Sequence, residues 1–538
     1  MEHHEVIIIG AGISGIYQLY RLLEADIDVT VLDANDDLGG TWYKNRYPGA
    51  RFDSESYTYG YSFSKDLLAE WSWSEHFAPQ PETLKYLNYV ADKFDLRPYM
   101  QFGCQVETAE YDEPNRIWRV RLRGDRELSC RFLVTAIGIL SAPTMPRISG
   151  IDTFRGVSFH TFDWPSEPLD LTGKRVGIIG TGATAVQIIG EIAERVGHLT
   201  VFQRRPNWCA PLHNRLITDD EQVTIKATYD DIFARCRESA GGFIHRADRR
   251  RLHEVPESER YEFFEELYAS SGFRIWQGNF RDVLMDEPAN AEFSAFVANK
   301  IRERVNDPVL AEKLIPTDHG FGTRRVPMET NYYEAFNRDN VLLVDINETP
   351  IECVTERGIQ TSDGEYEFDI IVYATGFDAM TGAFDRMEFI GVGGRRLRDK
   401  WRDGPSTYLG VQTAGFPNLL MLAGPQAGSG FTNFGRGTEE SVDWTTGFIR
   451  YLRDNGYTSV DSEPAAEDEW VEHVKDMYDL LLLGKARSWF TGFNPNVDGF
   501  DRPLHDAPRL VVYNGGAPRY RKRLAAVADN SYEGFILA

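Results

Sequence analysis

The chain has 538 residues, 42% of them hydrophobic and 13% aromatic, so it is globular in composition and too long for one ordinary core. Its formal charge of −24 argues against a nucleic-acid or anionic-lipid surface, and its apolar runs fall far short of the ~18 residues that span a bilayer. The five cysteines, Cys104, Cys130, Cys209, Cys236 and Cys353, form no CxxC pair, which excludes a dithiol or zinc motif and suits thiols in a reducing cytoplasm.

MEHHEVIIIGAG passes from an acidic start straight into a buried-strand pattern, leaving no room for a signal peptide. In VIIIGAGISG (6–15) a β-branched run meets Gly10-x-Gly12-x-x-Gly15, with Ser14 entering a helical stretch. VTVLD (29–33) then reads as a second strand ending in Asp33. This is the grammar of a dinucleotide βαβ unit. Bare glycines let the backbone approach a pyrophosphate at a helix N-terminus, and the carboxylate holds a ribose hydroxyl.

GGTWYKNRYPGARFD (39–53) follows, and then LKYLNYVADKF, whose Leu84, Leu87, Ala91 and Phe94 lie on one helical stripe and read as core. CRFLVTAIG (130–138) is a late buried strand, after which Pro143, Pro146 and Gly150 mark a crossing. The segment FRGVSFHTFDWP (154–165) packs five aromatic or imidazole rings into a linker.

KRVGIIGTGATA (174–185) repeats the glycine loop with Gly180, Gly182 and Ala185. Its second strand, LTVFQRR (199–205), ends in Gln203, Arg204 and Arg205 rather than a carboxylate. Guanidinium groups grip a 2′-phosphate that an acid would repel, so the first site suits FAD or NAD and the second NADPH. FDIIVYATGFD (368–378) echoes 130–138, so two nucleotide modules, each with an early and a late strand, share the chain.

Between them, β patterns fade from 213 to 321. DDIFARCRESAGGF, SERYEFFEELYASS and NAEFSAFVANKIRERVNDPVLAEKLI have helical spacing, and HRADRRR (245–251) is predicted to be a solvated helix face. The expected architecture is α/β, with two Rossmann-like dinucleotide-binding domains and an inserted helical subdomain. The expected division is 1–139 and 373–538 for the FAD-binding domain and C-terminal loop, 140–212 and 322–372 for the NADPH-binding domain, and 213–321 for the insertion.

With both loops in place, FRGVSFHTFDWP matches Phe-x-Gly-x-x-x-His-x-x-x-(Trp or Phe) at Phe154, Gly156, His160 and Trp164. The chain thereby closely resembles the type I Baeyer–Villiger monooxygenases. GGTWYKNRYPGARFD, FGTRRVPMETNYYEAFNRDN (321–340) and YATGFDAMTG (373–382) extend the likeness over nearly the whole chain. The resemblance implies a glutathione-reductase-like fold holding FAD and NADPH, with NADP+ retained during turnover. It implies ketone conversion to an ester or lactone through a C4a-peroxyflavin and a tetrahedral adduct, and oxygenation of sulfides as well.

By the same resemblance, Arg325 is the catalytic arginine and Asp53 the carboxylate beside it and the flavin. A fixed cation in a water-poor site stabilises developing oxyanions. Gly40, Thr41, Trp42, Tyr59 and Val106 match flavin-contacting positions. Thr181, Ala183, Thr184, Gln187, Arg204 and Arg324 match NADPH-holding ones, and Trp489 a mobile-loop tryptophan over the nicotinamide. Phe154, Gly156, His160 and Trp164 are expected to couple the domains as a hinge rather than to catalyse.

Two departures stand out. Asp33 replaces the usual Glu, one methylene shorter, and Arg205 replaces a common Thr. The partners implied are a small ketone and O₂, with no nucleic acid, membrane or metal, in a cytoplasmic monomer or weak oligomer. The segment GPQAGSGFTNFG (424–435) is expected to form an open or flexible substrate-pocket wall. The rival readings are a flavin N- or S-hydroxylating monooxygenase, which would not need Arg325, and a nucleotide-binding redox sensor.

Overall fold

The computed structural model describes residues 2–428 and 432–538; within the expected wall at 424–435, residues 429–431 lie outside the described residues. In chain order the strands of the two main sheets begin with β1 (Glu2–Ile9), β2 (Val29–Leu32), β3 (Met100–Gln101), β4 (Val106–Asp112), β5 (Ile117–Leu122) and β6 (Glu127–Thr135). They continue with β7 (Val157–His160), β8 (Arg175–Ile179), β9 (His198–Gln203), β10 (Val341–Asp345), β11 (Ile370–Tyr373), β12 (Glu388–Ile390) and β13 (Leu419–Met421).

The first sheet runs β12-β4-β5-β6-β1-β2-β3, with β13 also pairing β6; its β6-β1-β2-β3 half is parallel. The second runs β10-β9-β8-β11-β7, all parallel. Strands covered on both faces need apolar residues at every position. In β1, Val6 and Ile8 enter one buried cluster while Ile7 and Ile9 enter another. In β11, Ile370 and Val372 face one core, Ile371 and Tyr373 the other.

The internal repeat extends to single hydrogen bonds. Gly10 N donates to Leu32 O at 2.8 Å and Gly180 N to Phe202 O at 3.0 Å; Ala136 N donates to Ile9 O at 2.8 Å and Ala374 N to Ile179 O at 3.0 Å. Each glycine loop thus turns beneath the end of its own late strand, the one read as an echo in the sequence.

From 213 to 321 the described elements are helical, the longest being Glu257–Ala269 and Glu287–Arg304. Phe264, Phe293 and Phe296 carry this insertion into the core of the second sheet. One expectation fails: 245–251 is not a helix. The helix Tyr229–Glu238 ends at Ser239, Gly242 turns the chain at φ +67°, and the segment spends its charges on local and cross-element pairs such as Asp248–Arg250 and Glu55–His245.

The two crossings between the sheets lie side by side. Thr144 N donates to Gly376 O at 3.0 Å and Asp378 N to Ala142 O at 2.8 Å, with an antiparallel bridge between Pro143 and Phe377. Among the described residues no helix is long and apolar enough to cross a membrane.

Candidate active site

The first loop is shaped for close approach. Gly10 has φ +107°, and a Cβ there would fall 2.5 Å from Ala136 O; a Cβ on Gly15 would fall 1.8 Å from Gly10 O. Gly12 ends the loop before helix α1 (Ile13–Glu24). Gly40 presses onto it so closely that a Cβ would lie 2.9 Å from Gly12 Cα.

Asp33 is buried, and burial raises its carboxyl above the usual range. Oδ2 accepts from Ala11 N at 2.6 Å, and Oδ1 from Asn35 N and Nδ2, each at 2.8 Å. A carboxylate has about four acceptor sites, so this short side chain braces the loop and keeps one lone pair for a ribose hydroxyl. Ser14 Oγ lies 3.2 Å from Thr438 Oγ1, tying α1 to the helix Phe434–Asp454.

Beyond the loop stands an aromatic corner. Trp42 Nε1 donates to Tyr59 OH at 2.9 Å, Phe52 stacks on Tyr59 with centroids 4.5 Å apart, and burial pushes the Tyr59 phenol up to about 12. Thr41 beside it is exposed. Val106 spends its side chain in the core with Ile9 and Leu32, which leaves only its backbone for a nucleotide.

The second loop repeats the geometry. Gly180 has φ +114°, with a Cβ only 2.4 Å from Ala374 O, whereas a Cβ on Gly182 would meet nothing within 4 Å. That open space lies at the N-terminus of helix α2 (Ala183–Ile192), which Ala183 and Thr184 begin. Thr181 Oγ1 donates to Arg205 O at 2.7 Å, fastening loop to strand end.

There the guanidinium groups of Arg204, Arg205 and Arg324 gather. Arg204 is shifted down by burial and by the charges of Arg205 and Arg324. Arg324 Nε is buried without a hydrogen-bond partner. Like charges crowded together, with an orphaned donor among them, fit an anionic phosphate.

Between the two loops the modules meet at a part-buried ion pair. Arg325 Nη1 donates to Asp53 Oδ2 at 2.6 Å and to Val326 O at 2.7 Å, while its Cζ lies 5.2 Å over the Phe273 ring. The Asp53 side chain is 2% exposed and that of Arg325 29%. Met328 N donates to Asp53 Oδ2 at 3.3 Å, and Gln187 Nε2 reaches Asp53 Oδ1 at 3.4 Å and Arg51 O at 3.0 Å. Tyr47 OH donates to Gln187 Oε1 at 2.9 Å.

Asp53 is therefore fixed from three sides. Among the described residues the hydrogen bonds of the Arg325 guanidinium all leave from Nη1. Tyr47 is the tyrosine of Tyr-Pro-Gly in the quoted 39–53 phrase, and the sequence assigned it no role of its own.

The ring-rich linker has a different task. His160 Nδ1 accepts from Phe162 N at 3.1 Å and Nε2 donates to Gly376 O at 3.1 Å, which fixes one neutral tautomer. Burial shifts its pKa down, in keeping with that form. Trp164 is buried in the core of the second module and meets Phe159 edge-on at 4.9 Å. Phe154 folds over Gly156, where a Cβ would lie 2.5 Å from its ring. Of the four, His160 reaches the crossing at Gly376, while Trp164, Phe154 and Gly156 pack within their own module.

Trp489 is half-buried and packs against the cores of both modules. The sequence reading also missed a buried group behind it. Arg502 reaches Asp378 Oδ1 at 2.7 Å and Asp498 Oδ1 at 2.6 Å, and Asn494 Nδ2 donates to Phe377 O at 2.9 Å. Among the described residues no cluster of His, Cys, Asp or Glu could hold a metal ion.

The flavin-binding monooxygenase-like family matches residues 3–219. The chain is 48% identical over 99% of its length, and 98% of the relative's, to 2-oxo-Δ3-4,5,5-trimethylcyclopentenylacetyl-CoA monooxygenase of Pseudomonas putida. It is 39% identical over 99% of its length, and 96% of the relative's, to cyclopentanone 1,2-monooxygenase of Comamonas. The crystal structure of OTEMO in complex with FAD and NADP superposes with a TM-score of 0.95 at 47% identity, covering 99% of both chains. The chain belongs to the flavin-dependent Baeyer–Villiger monooxygenases.

As a Baeyer–Villiger monooxygenase it is an FAD-containing, NADPH-dependent oxidoreductase that converts ketones to esters or lactones. The two Rossmann-like modules seen in its sheets agree with this. A more unusual relative, 39% identical over 99% of this chain and 97% of its own, is phenazine N-monooxygenase of Lysobacter antibioticus.

Proposed function

We propose that Arg325 and Asp53 are the catalytic pair of this Baeyer–Villiger monooxygenase. The observation that carries the reading is their 2.6 Å ion pair at the junction of the two modules. FAD reduced by NADPH supplies, when bound, one oxygen atom of O₂ to the ketone. Arg325 is the residue that holds negative charge developing on the substrate oxygen, a preorganised contact worth a few kcal/mol in a dry site. Asp53, fixed by Gln187 and Met328 N, aims the guanidinium.

In this reading Gly10, Gly12, Ser14, Gly15, Asp33, Gly40, Thr41, Trp42, Tyr59 and Val106 hold the FAD. Gly180, Thr181, Gly182, Ala183, Thr184, Gln187, Arg204, Arg205 and Arg324 hold the NADPH, and Trp489 closes over it. The FAD-binding domain takes in 1–139 and 373–538, the NADPH-binding domain 140–212 and 322–372, and the insertion at 213–321 shapes the ketone site. The chain acts in the cytoplasm as a monomer or weak oligomer, without nucleic acid, membrane or metal, and oxygenates sulfides as a side activity.

The test is Arg325→Ala beside Asp53→Ala, with cyclopentanone and phenylacetone as ketones. Both variants are expected to keep bound FAD and its reduction by NADPH. The arginine variant should lose at least about a hundredfold in ester formation, the scale of one lost oxyanion donor. Ester formation left intact in Arg325→Ala would overturn the assignment. A second reading, heteroatom hydroxylation as the main activity, is favoured by the phenazine-oxidising relative; it predicts that Arg325→Ala oxidises an aromatic N-heterocycle undiminished.

A further inference from the structure

The guanidinium cluster at the end of β9 contains a group that opposes phosphate binding. Asp318 Oδ2 accepts from Arg324 Nη2 at 2.9 Å and lies 3.7 Å from Arg205 Nη1. Its Oδ1 accepts from His319 Nδ1 at 2.7 Å. The His319 side chain is 1% exposed, and its backbone carbonyl accepts from Trp208 Nε1 at 2.9 Å. The carboxylate is thus clamped to a buried ring that is itself anchored.

Burial would raise the Asp318 carboxyl, but His319 and Arg324 outweigh it and hold it below the usual range, so it is an anion at neutral pH. His319 is shifted down by burial and by Arg324. A neutral ring donating from Nδ1 presents Nε2 as an acceptor, and that atom is buried with no partner. The pocket therefore holds a fixed carboxylate on the same two arginines that a phosphate would need.

We propose that Asp318 is a specificity-determining residue that weakens the preference for a 2′-phosphorylated nucleotide. It competes with the phosphate for Arg324 and Arg205, and it accepts a hydrogen bond from a ribose that carries a free 2′-hydroxyl. Arg205 offsets part of this by adding a third cation where the clamped carboxylate has consumed one. The inference rests on Arg204, Arg205 and Arg324 forming the 2′-phosphate grip.

The test is calorimetric titration of the FAD-loaded enzyme with adenosine 2′,5′-bisphosphate and with adenosine 5′-monophosphate. Asp318→Asn keeps the size of the side chain and an acceptor for Arg324 while removing the charge. It is expected to raise the affinity ratio of bisphosphate to monophosphate about tenfold, the order set by one charge at contact range in a half-exposed site. Asp318→Ser replaces it should the first variant lose its flavin spectrum.

A ratio that stays level or falls in Asp318→Asn overturns the proposal. Arg204→Ala separates the two layers of the argument. If that variant keeps the full advantage of the bisphosphate, the phosphate grip itself is wrong and the role of Asp318 falls with it. If it loses the advantage while Asp318→Asn changes nothing, only the role of Asp318 fails.

Discussion

His160 is the residue whose chemistry its surroundings most tightly decide. Both ring nitrogens are committed, one as acceptor from Phe162 N and one as donor to Gly376 O. Protonation would put a second hydrogen on Nδ1, opposite the Phe162 N–H, so the folded protein resists it. The folded pKa lies below the ordinary value of about 6.5. As pH falls through 6.5, the unfolded chain takes up this proton and the folded chain does not, so stability is lost until the folded pKa is reached.

His160→Gln keeps an acceptor and a donor but removes the titration. Thermal unfolding midpoints between pH 7 and pH 5 are expected to fall less steeply in the variant, by at most about 1.4 kcal/mol per pH unit from this one group. Equal slopes would mean that the ring takes up its proton alike in the folded and unfolded chains.

At the scale of elements, the glycine loops show what a sequence can encode and what it cannot. Gly10 and Gly180 sit at φ +107° and +114° with a carbonyl 2.5 and 2.4 Å from any added Cβ. Only glycine meets that demand, so the requirement is legible in local sequence. Gly182 differs: it has extended backbone at φ −78° and open space around it. Folding does not require glycine there, and the space in front of it is left open.

Gly180→Ala is therefore expected to cost ~1–3 kcal/mol of strain and to lower the unfolding midpoint. Gly182→Ala should leave that midpoint within a degree or two and weaken binding of NADP+ severalfold. Loss of stability in Gly182→Ala with normal NADP+ binding would contradict this division.

The two nucleotide-binding modules and the helical character of 213–321 were legible for the same local reason, through periodicity and turn residues, whereas the order of strands within each sheet was not. The 245–251 segment was misread because its composition suits a helix, while Gly242 and the pairing of His245 with Glu55 decide otherwise. Asp318 carried no local signal, since it acquires its role from partners brought in by the fold; Tyr47 stands in the Tyr-Pro-Gly of the 39–53 phrase, but its bond to Gln187 comes from the fold.

At the scale of the molecule, the two modules are joined by paired crossings that residues from two other parts of the chain secure. His160 grips Gly376 from one side. Asn494 takes Phe377 O, and Arg502 takes Asp378 from the other. Arg502, Asp378 and Asp498 are each about 90% buried or more at the side chain. No sequence pattern announces a pair 124 residues apart.

A buried charge stripped of its partner costs more than the pair contributed, about 3–5 kcal/mol. Arg502→Met takes the arginine from Asp378 and leaves Asp498 the longer 4.0 Å contact with Arg509, so the strap formed by residues 489–502 should detach locally before the sheets unfold. Because Trp489 on that strap packs against both cores, detachment also loosens the alignment of one module with the other.

Two readouts follow from one cause. Limited proteolysis should cut Arg502→Met between 485 and 510 several times faster than the parent, with the flavin still bound. The share of NADPH oxidised without ester formation should rise in parallel, since a loosened junction exposes Arg325 and Asp53 to water. Asp378→Asn, which leaves Asp498 to hold the arginine, should fall between the two. Faster cleavage with coupling unchanged would confine the triad to anchoring the strap and leave module alignment to the crossings themselves.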